Sequence, residues 1–178
     1  MLGEQKRTED AENVYKKAIE LDPSHVKTYY NLNALYQNLK RYGDAFNVLK
    51  TAIDRGLGNS GLYYATGFNL QLQGKLAESL EYFEKSENFI SLASVHKKLG
   101  NLEKSGEYLK KARELIKNDN FYDLACIESI ADNIGKAIEF LALAAKSDNF
   151  NSAWAWDDPD LEWIRDDPRF QQIAGPKQ

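Results

Sequence analysis

Apolar residues recur along the chain in steps of three and four, as in Tyr29, Leu32, Leu35, Tyr36 and Leu39, or Leu76, Leu80 and Phe83. That spacing puts side chains on one face of an α-helix. Polar turn residues interrupt it at Arg41-Tyr42-Gly43-Asp44, Gln73-Gly74-Lys75, Gly100-Asn101 and Asp132-Asn133. Asp22-Pro23-Ser24 makes a further break, because proline is excluded from a helix interior but fits a first turn. The pattern predicts helical hairpins along the whole chain, and so an all-α fold.

The hairpins repeat. Small residues stand in register at Ala11, Ala45, Ser79, Ser105 and Ala137, with spacings of 34, 34, 26 and 32. A second small column, Ala18, Ala52, Ser86, Ala112 and Ala144, keeps those spacings. Between the two runs a large apolar column of Tyr15, Leu49, Phe83, Leu109 and Leu141. Upstream lie Tyr29, Tyr63, Phe89 and Phe121, then Leu32, Thr66, Leu92 and Leu124. The next position is small in Gly67, Ala93 and Ala125 and is Asn33 in the remaining unit. Small columns let two helices approach closely while the large columns fill the space beside them.

These columns resemble the tetratricopeptide repeat, down to the ending Tyr15-Lys16-Lys17-Ala18-Ile19-Glu20-Leu21-Asp22-Pro23. The resemblance covers nearly the whole chain and implies a right-handed superhelical solenoid of antiparallel helix hairpins. The expected divisions are the second helix of an incomplete first repeat at 1–24 and four repeats at 25–58, 59–87, 88–117 and 118–148. Two capping helices at 149–174 and a tail at 175–178 follow. Where the spacing contracts to 26 the Asp-Pro turn is missing, so shortened or re-angled helices are expected there. Because the chain opens at Met1 partway through a unit, it reads either as the C-terminal part of a longer solenoid or as a short protein with a degenerate first helix. Asp158-Pro159-Asp160-Leu161-Glu162-Trp163-Ile164-Arg165-Asp166-Asp167-Pro168-Arg169-Phe170 is similar to the ending of bacterial repeat arrays, as is Phe121-Tyr122-Asp123-Leu124-Ala125-Cys126 to their last repeat. Asp158 and Asp167, each followed by proline, should start two short helices. Leu161, Ile164, Phe170 and Ile173 should cover the end of the stack.

Composition narrows the chemistry. The chain has 178 residues, 43% of them apolar, which suffices for one domain with a core. No apolar run of about 18 residues exists, so a membrane span is excluded. The charged stretch Met1 to Glu12 carries no signal peptide, and a cytoplasmic location is expected. The net charge of −4 argues against nucleic-acid binding. It arises near the C-terminus, where Asp148, Asp157, Asp158, Asp160, Glu162, Asp166 and Asp167 face only Arg165 and Arg169. Most of these acids are expected as caps or first-turn residues facing the helix dipole, with docking of a basic partner as the alternative. Lys16-Lys17, Lys97-Lys98 and Lys110-Lys111 are expected on solvated helix faces.

No motif carries catalytic chemistry. Gly56-Leu57-Gly58-Asn59-Ser60-Gly61 spells a dinucleotide fingerprint, but a helix rather than a strand precedes it, so it reads as an inter-repeat turn with Gly56 as a C-cap. The single cysteine, Cys126, excludes an internal disulfide and reads as a packing residue in a first helix. His96 falls in a packing column and His25 in a turn, neither at metal-ligand spacing. No cofactor or metal is expected, and no enzyme activity.

In the tetratricopeptide family the first helix of each unit lines the concave side. The resemblance therefore implies a partner-binding groove of Tyr30, Ala34, Gln37, Tyr64, Phe68, Gln71, Ile90, Ser94, Lys97, Tyr122, Cys126 and Ser129. An aromatic, polar-tipped lining suits an extended peptide or a partner helix; in the bland alternative, these tyrosines pack between units. The family's carboxylate clamp is not expected, because Tyr30, Ala34, Gly61 and Ala65 stand where basic or amide residues belong. The reading is a non-catalytic protein–protein interaction module, an adaptor or assembly scaffold. The alternative is a structural segment of a larger protein that self-associates through its open N-terminal face.

Overall fold

The computed structural model describes residues 2–117 and 119–177. Met1, where the half-repeat is expected to open, and residue 118, the expected start of the fourth repeat, lie outside them. The chain forms two compact units, Met1–Glu87 and Asn88–Gln178. In a repeat array each hairpin packs only on its neighbours, so no single core has to gather the whole chain.

The first unit comprises α1 (Leu2–Leu21), α2 (Val26–Asn38), α3 (Tyr42–Ala52), α4 (Ser60–Leu72) and α5 (Leu76–Ser86). The second holds α6 (Phe89–Lys98), α7 (Leu102–Leu115), α8 (Phe121–Ile130), α9 (Ile134–Ala144), α10 (Ser152–Asp157), a 3-10 turn (Pro159–Ile164) and α11 (Pro168–Ala174). No strand occurs among the described residues. The fold is all-α, and helices pair as antiparallel hairpins. At the contracted spacing α6 has 10 residues where α2 and α4 have 13. Only Glu87 and Asn88 separate α5 from α6.

The sequence columns become the core. Ala45, Ala52, Leu49, Phe83, Ala93, Ala125, Ala137 and Leu141 are fully buried, as are Tyr29 and Thr66. Asn33, the odd member of its column, is buried too. Its Oδ1 accepts a hydrogen bond of 2.7 Å from Asn69 Nδ2, and Asn69 Oδ1 accepts one of 2.8 Å from Gln37 Nε2. An amide ladder thus joins α2 to α4 where other hairpins use small side chains. At the outer end of the unit, Glu12 of α1 takes hydrogen bonds from Lys16 (2.6 Å), Tyr36 (3.0 Å) and Arg41 (2.7 Å). Those from Lys16 and Arg41 hold its carboxyl down at about 2.

The first helices after α2 share a cap that the periodicity does not reveal. Asn59, Asn88 and Asn120 each accept from a backbone amide three residues on, starting α4, α6 and α8. Every hairpin turn places one residue in the left-handed region, in the order Lys40, Gly74, Gly100 and Asp132. The following amide bonds back to the carbonyl five residues earlier, as in Arg41 to Tyr36 (2.8 Å) and Asn101 to His96 (2.8 Å). The first turn therefore centres on Lys40, and Gly43 lies inside α3 rather than in the turn. Lys40 pays a steric cost there that glycine avoids. Lys40→Gly is expected to raise stability by roughly 0.5–1 kcal/mol, strain relief less glycine's larger unfolded-state entropy. A urea midpoint no higher than the parent's would contradict this.

Candidate functional site

In the first unit the expected lining falls on α2 and α4. Tyr30, Gln37 and Tyr64 are part-buried and Ala34 is exposed, while Phe68 and Gln71 are buried. Tyr30 Oη donates to Asn59 Oδ1 over 3.4 Å. The Tyr64 ring lies 6.1 Å from those of Phe68 and Phe83. Gln37 is held by the amide ladder, and neither amide atom of Gln71 has a hydrogen-bond partner among the described residues. The face that remains accessible is Tyr30, Ala34, Gln37 and Tyr64, aromatic with polar tips and without charge.

In the second unit the corresponding face is covered by the chain itself. The 3-10 turn Pro159–Ile164 packs on α8 and reaches α6. Asp158 starts the turn by accepting from the Asp160 amide (2.9 Å), and Asp167 caps α11 by accepting from the Arg169 amide (2.9 Å). The Asp-Pro caps thus form as expected, but α10 precedes them, so three short helices stand where two were expected. Leu161, Ile164 and Phe170 are buried with Ala125, Ala137, Ile138 and Leu141.

Polar contacts fix the turn. Tyr122 Oη donates to Asp158 Oδ2 (2.9 Å), and Cys126 Sγ lies 3.9 Å from the same oxygen. Lys98 Nζ donates to the Pro159 carbonyl (3.3 Å) and pairs with Glu162 (3.0 Å). Lys97 Nζ donates to the Ile130 carbonyl (2.7 Å), pairs with Asp132 (2.7 Å) and sits 4.3 Å above the Trp163 ring. Arg165 donates to the Asp158 carbonyl. Ser94, Cys126 and Ser129 are consequently buried, and Ile90 and Tyr122 part-buried.

One sequence expectation changes here. Lys97 and Lys98 are not on a solvated face: their side chains are 13% and 14% exposed and hold the turn. Among the acids, Asp158 and Asp167 are caps, as expected; Asp158 and Asp160 are buried, and Glu162 and Asp167 are paired to Lys98 and Arg169. Burial pushes the Asp160 carboxyl up to about 7, and the Asp158 carboxylate beside it adds to the rise. Burial likewise pushes the Cys126 thiol and the Tyr122 phenol well up.

The glycine-rich stretch is a turn. After α3 the helix widens through Ile53–Leu57 and ends where Gly56 turns left-handed at φ +81°; Asn59 then caps α4 through the Leu62 amide. His96 is buried, with its ring 5.4 Å from that of Tyr108. Among the described residues no group of three or more His, Cys, Asp or Glu side chains could hold a metal ion. No described helix is long and apolar enough to cross a membrane.

Within each unit, helix hairpins pack on their neighbours, with small residues such as Ala45, Ala93 and Ala137 buried between helices. That arrangement defines a helical-repeat protein of the solenoid class. Tetratricopeptide repeat patterns match residues 14–46 in one form and residues 1–25 and 86–119 in another. These matches identify tetratricopeptide repeats in the chain at those residues. Among solved structures it is similar to that titled "Crystal structure of MamA", at 18% identity and a TM-score of 0.53, over 97% of this chain and 94% of that one. It is also similar to "YrrB: a TPR protein with an unusual peptide-binding site", at 19% identity and a TM-score of 0.51, over 89% and 91%. No curated protein matches it in sequence.

Proposed function

We propose that the chain is a non-catalytic protein–protein interaction module, an adaptor or assembly scaffold, that takes a peptide or partner helix on the α2/α4 face of its first unit. The observation that carries this reading is the state of that face: Tyr30 and Tyr64 part-buried, Ala34 exposed, and no charge among them. In the second unit the face of the same sequence columns already holds a chain segment, through a tyrosine hydroxyl, one lysine-to-carbonyl contact and a ring. A first-helix pair in this chain is thus compatible with seating one strand of polypeptide. The peptide-binding site named for the YrrB structure supports the same reading.

Panning a random displayed-peptide library against the full chain and against Ala34→Glu tests it, with both checked by circular dichroism. The exposed Ala34 tolerates a carboxylate in the free chain, but a docked peptide would bury that charge. Peptides enriched on the parent should lose about tenfold or more in affinity for Ala34→Glu. Equal binding to both would remove the α2/α4 face from the proposal. A parent that enriches nothing and doubles in mass at micromolar concentration would favour self-association through α1, where Val14 and Leu21 are exposed.

A further inference from the structure

The α6/α8 face holds a cluster of buried ionisable groups for which peptide binding elsewhere has no use. We propose that Asp158–Ile164 is a pH-responsive strap over that face, held more firmly when Asp160 carries a proton and loosened when it gives the proton up.

Asp158 and Asp160 stand two residues apart at the start of one 3-10 turn, and both are buried. Two carboxylates in one dry site cannot both ionise without a large cost. Asp158 is the better served, with donors from Tyr122 and the Asp160 amide. Asp160 Oδ1 has no hydrogen-bond partner among the described residues, and the easing of its charge by the neighbouring Ser94 hydroxyl is outweighed by burial. Asp160 is therefore the member that keeps the proton.

The surrounding charges relieve it little: the Lys98 ammonium lowers its carboxyl by less than burial and Asp158 raise it. On α6, Lys98 is committed to Pro159 and Glu162, Lys97 to Ile130 and Asp132, and the His96 ring stacks on Tyr108. On α8, Cys126 and Tyr122 are neutral, Asp123 is a further acid, and Glu128 is bound by Arg113 and Asn133. Arg165 reaches the Asp158 carbonyl, while its Nε has no partner among the described residues. Lys136 and Glu139 of α9 and Asp157 of α10 are exposed.

The sign follows from linkage. Released into water, Asp160 ionises above about pH 4; docked, it keeps its proton to about 7. Docking then takes up a proton between those values. Its hold is full below about pH 4 and is lost as pH rises through 7.

Cys126, the only cysteine in the chain, lies 3% exposed beneath Asp158 and reports opening of the strap. The rate at which iodoacetamide labels it in the native full chain, divided by the rate in the urea-unfolded chain at the same pH, removes the thiol's own titration. That ratio should rise about tenfold between pH 6 and pH 8. In Asp160→Asn, which keeps the shape and removes the charge, the ratio should stay within about twofold. An unchanged ratio in the parent overturns the proposal. So does an equal rise in Asp160→Asn, which would place the titration on His96 or another group. Should that variant fail to fold, hydrogen exchange at the Leu161–Ile164 amides of the parent reads the same opening, and equal protection at the two pH values would overturn it.

Discussion

Leu161→Ala lowers the stability of the second unit by about 2–5 kcal/mol. Leu161 is fully buried in a cluster with Ala125, Ala137, Ile138, Leu141 and Phe170. Two of those neighbours are alanines on α8 and α9, whose backbones are fixed by their own hairpin, so the cavity left by the lost side chain has little to collapse into. The chain's three tryptophans, Trp154, Trp156 and Trp163, all lie in this unit. Urea unfolding followed by tryptophan fluorescence therefore reads it selectively. Leu161→Met, which keeps the volume, should cost less than about 1.5 kcal/mol. Leu99→Ala, at a side chain 40% exposed, should stay within about 0.5 kcal/mol. A near-neutral Leu161→Ala would mean that the C-terminal segment only rests on α8 and is not part of the core.

The second large effect belongs to Gly67. A Cβ there would lie 2.9 Å from Phe83 Cε1 and 3.2 Å from Tyr82 Cβ, and the Phe83 ring is fully buried with nowhere to retreat. Gly67→Ala should cost about 1–3 kcal/mol by overpacking, despite alanine's better helix propensity. The repeat suggests the remedy, because equivalent hairpins pair Ala93 with Leu109 and Ala125 with Leu141. Glycine against phenylalanine and alanine against leucine are two solutions to one spacing. Gly67→Ala combined with Phe83→Leu should therefore recover at least half of the single variant's loss, a coupling that a double-mutant cycle measures directly. Additive losses would show that the contact between α4 and α5 is not what limits residue 67.

The fold was legible because a repeat states its pattern several times over. The small and large columns became buried helix contacts, and the Asp158 and Asp167 caps formed where proline marked them. Positions that depart from the columns were harder to read. Asn33 looked like an exception until Asn69, two positions past the next unit's matching residue, supplied its partner. The path of the C-terminal segment was not legible, because periodicity locates a helix face but not what lies across it. Ser94, Cys126 and Ser129 fitted a groove lining by column, and it is their small size that admits the turn above them. Lys98 gave no signal, since a lysine beside acids in sequence reads as solvated unless its carbonyl partner, 61 residues away, is in view.

The amide ladder of Asn33, Asn69 and Gln37 has a consequence for assembly. Apolar ridges and grooves between successive helices tolerate sliding by a turn, since one aliphatic contact replaces another at little cost. Amides do not: displaced by one position, each buried group loses its mate at about 1–3 kcal/mol apiece. The ladder works as a key that admits one alignment of α4 on α2, so the first unit's exposed face has a fixed spacing between Tyr30 and Tyr64.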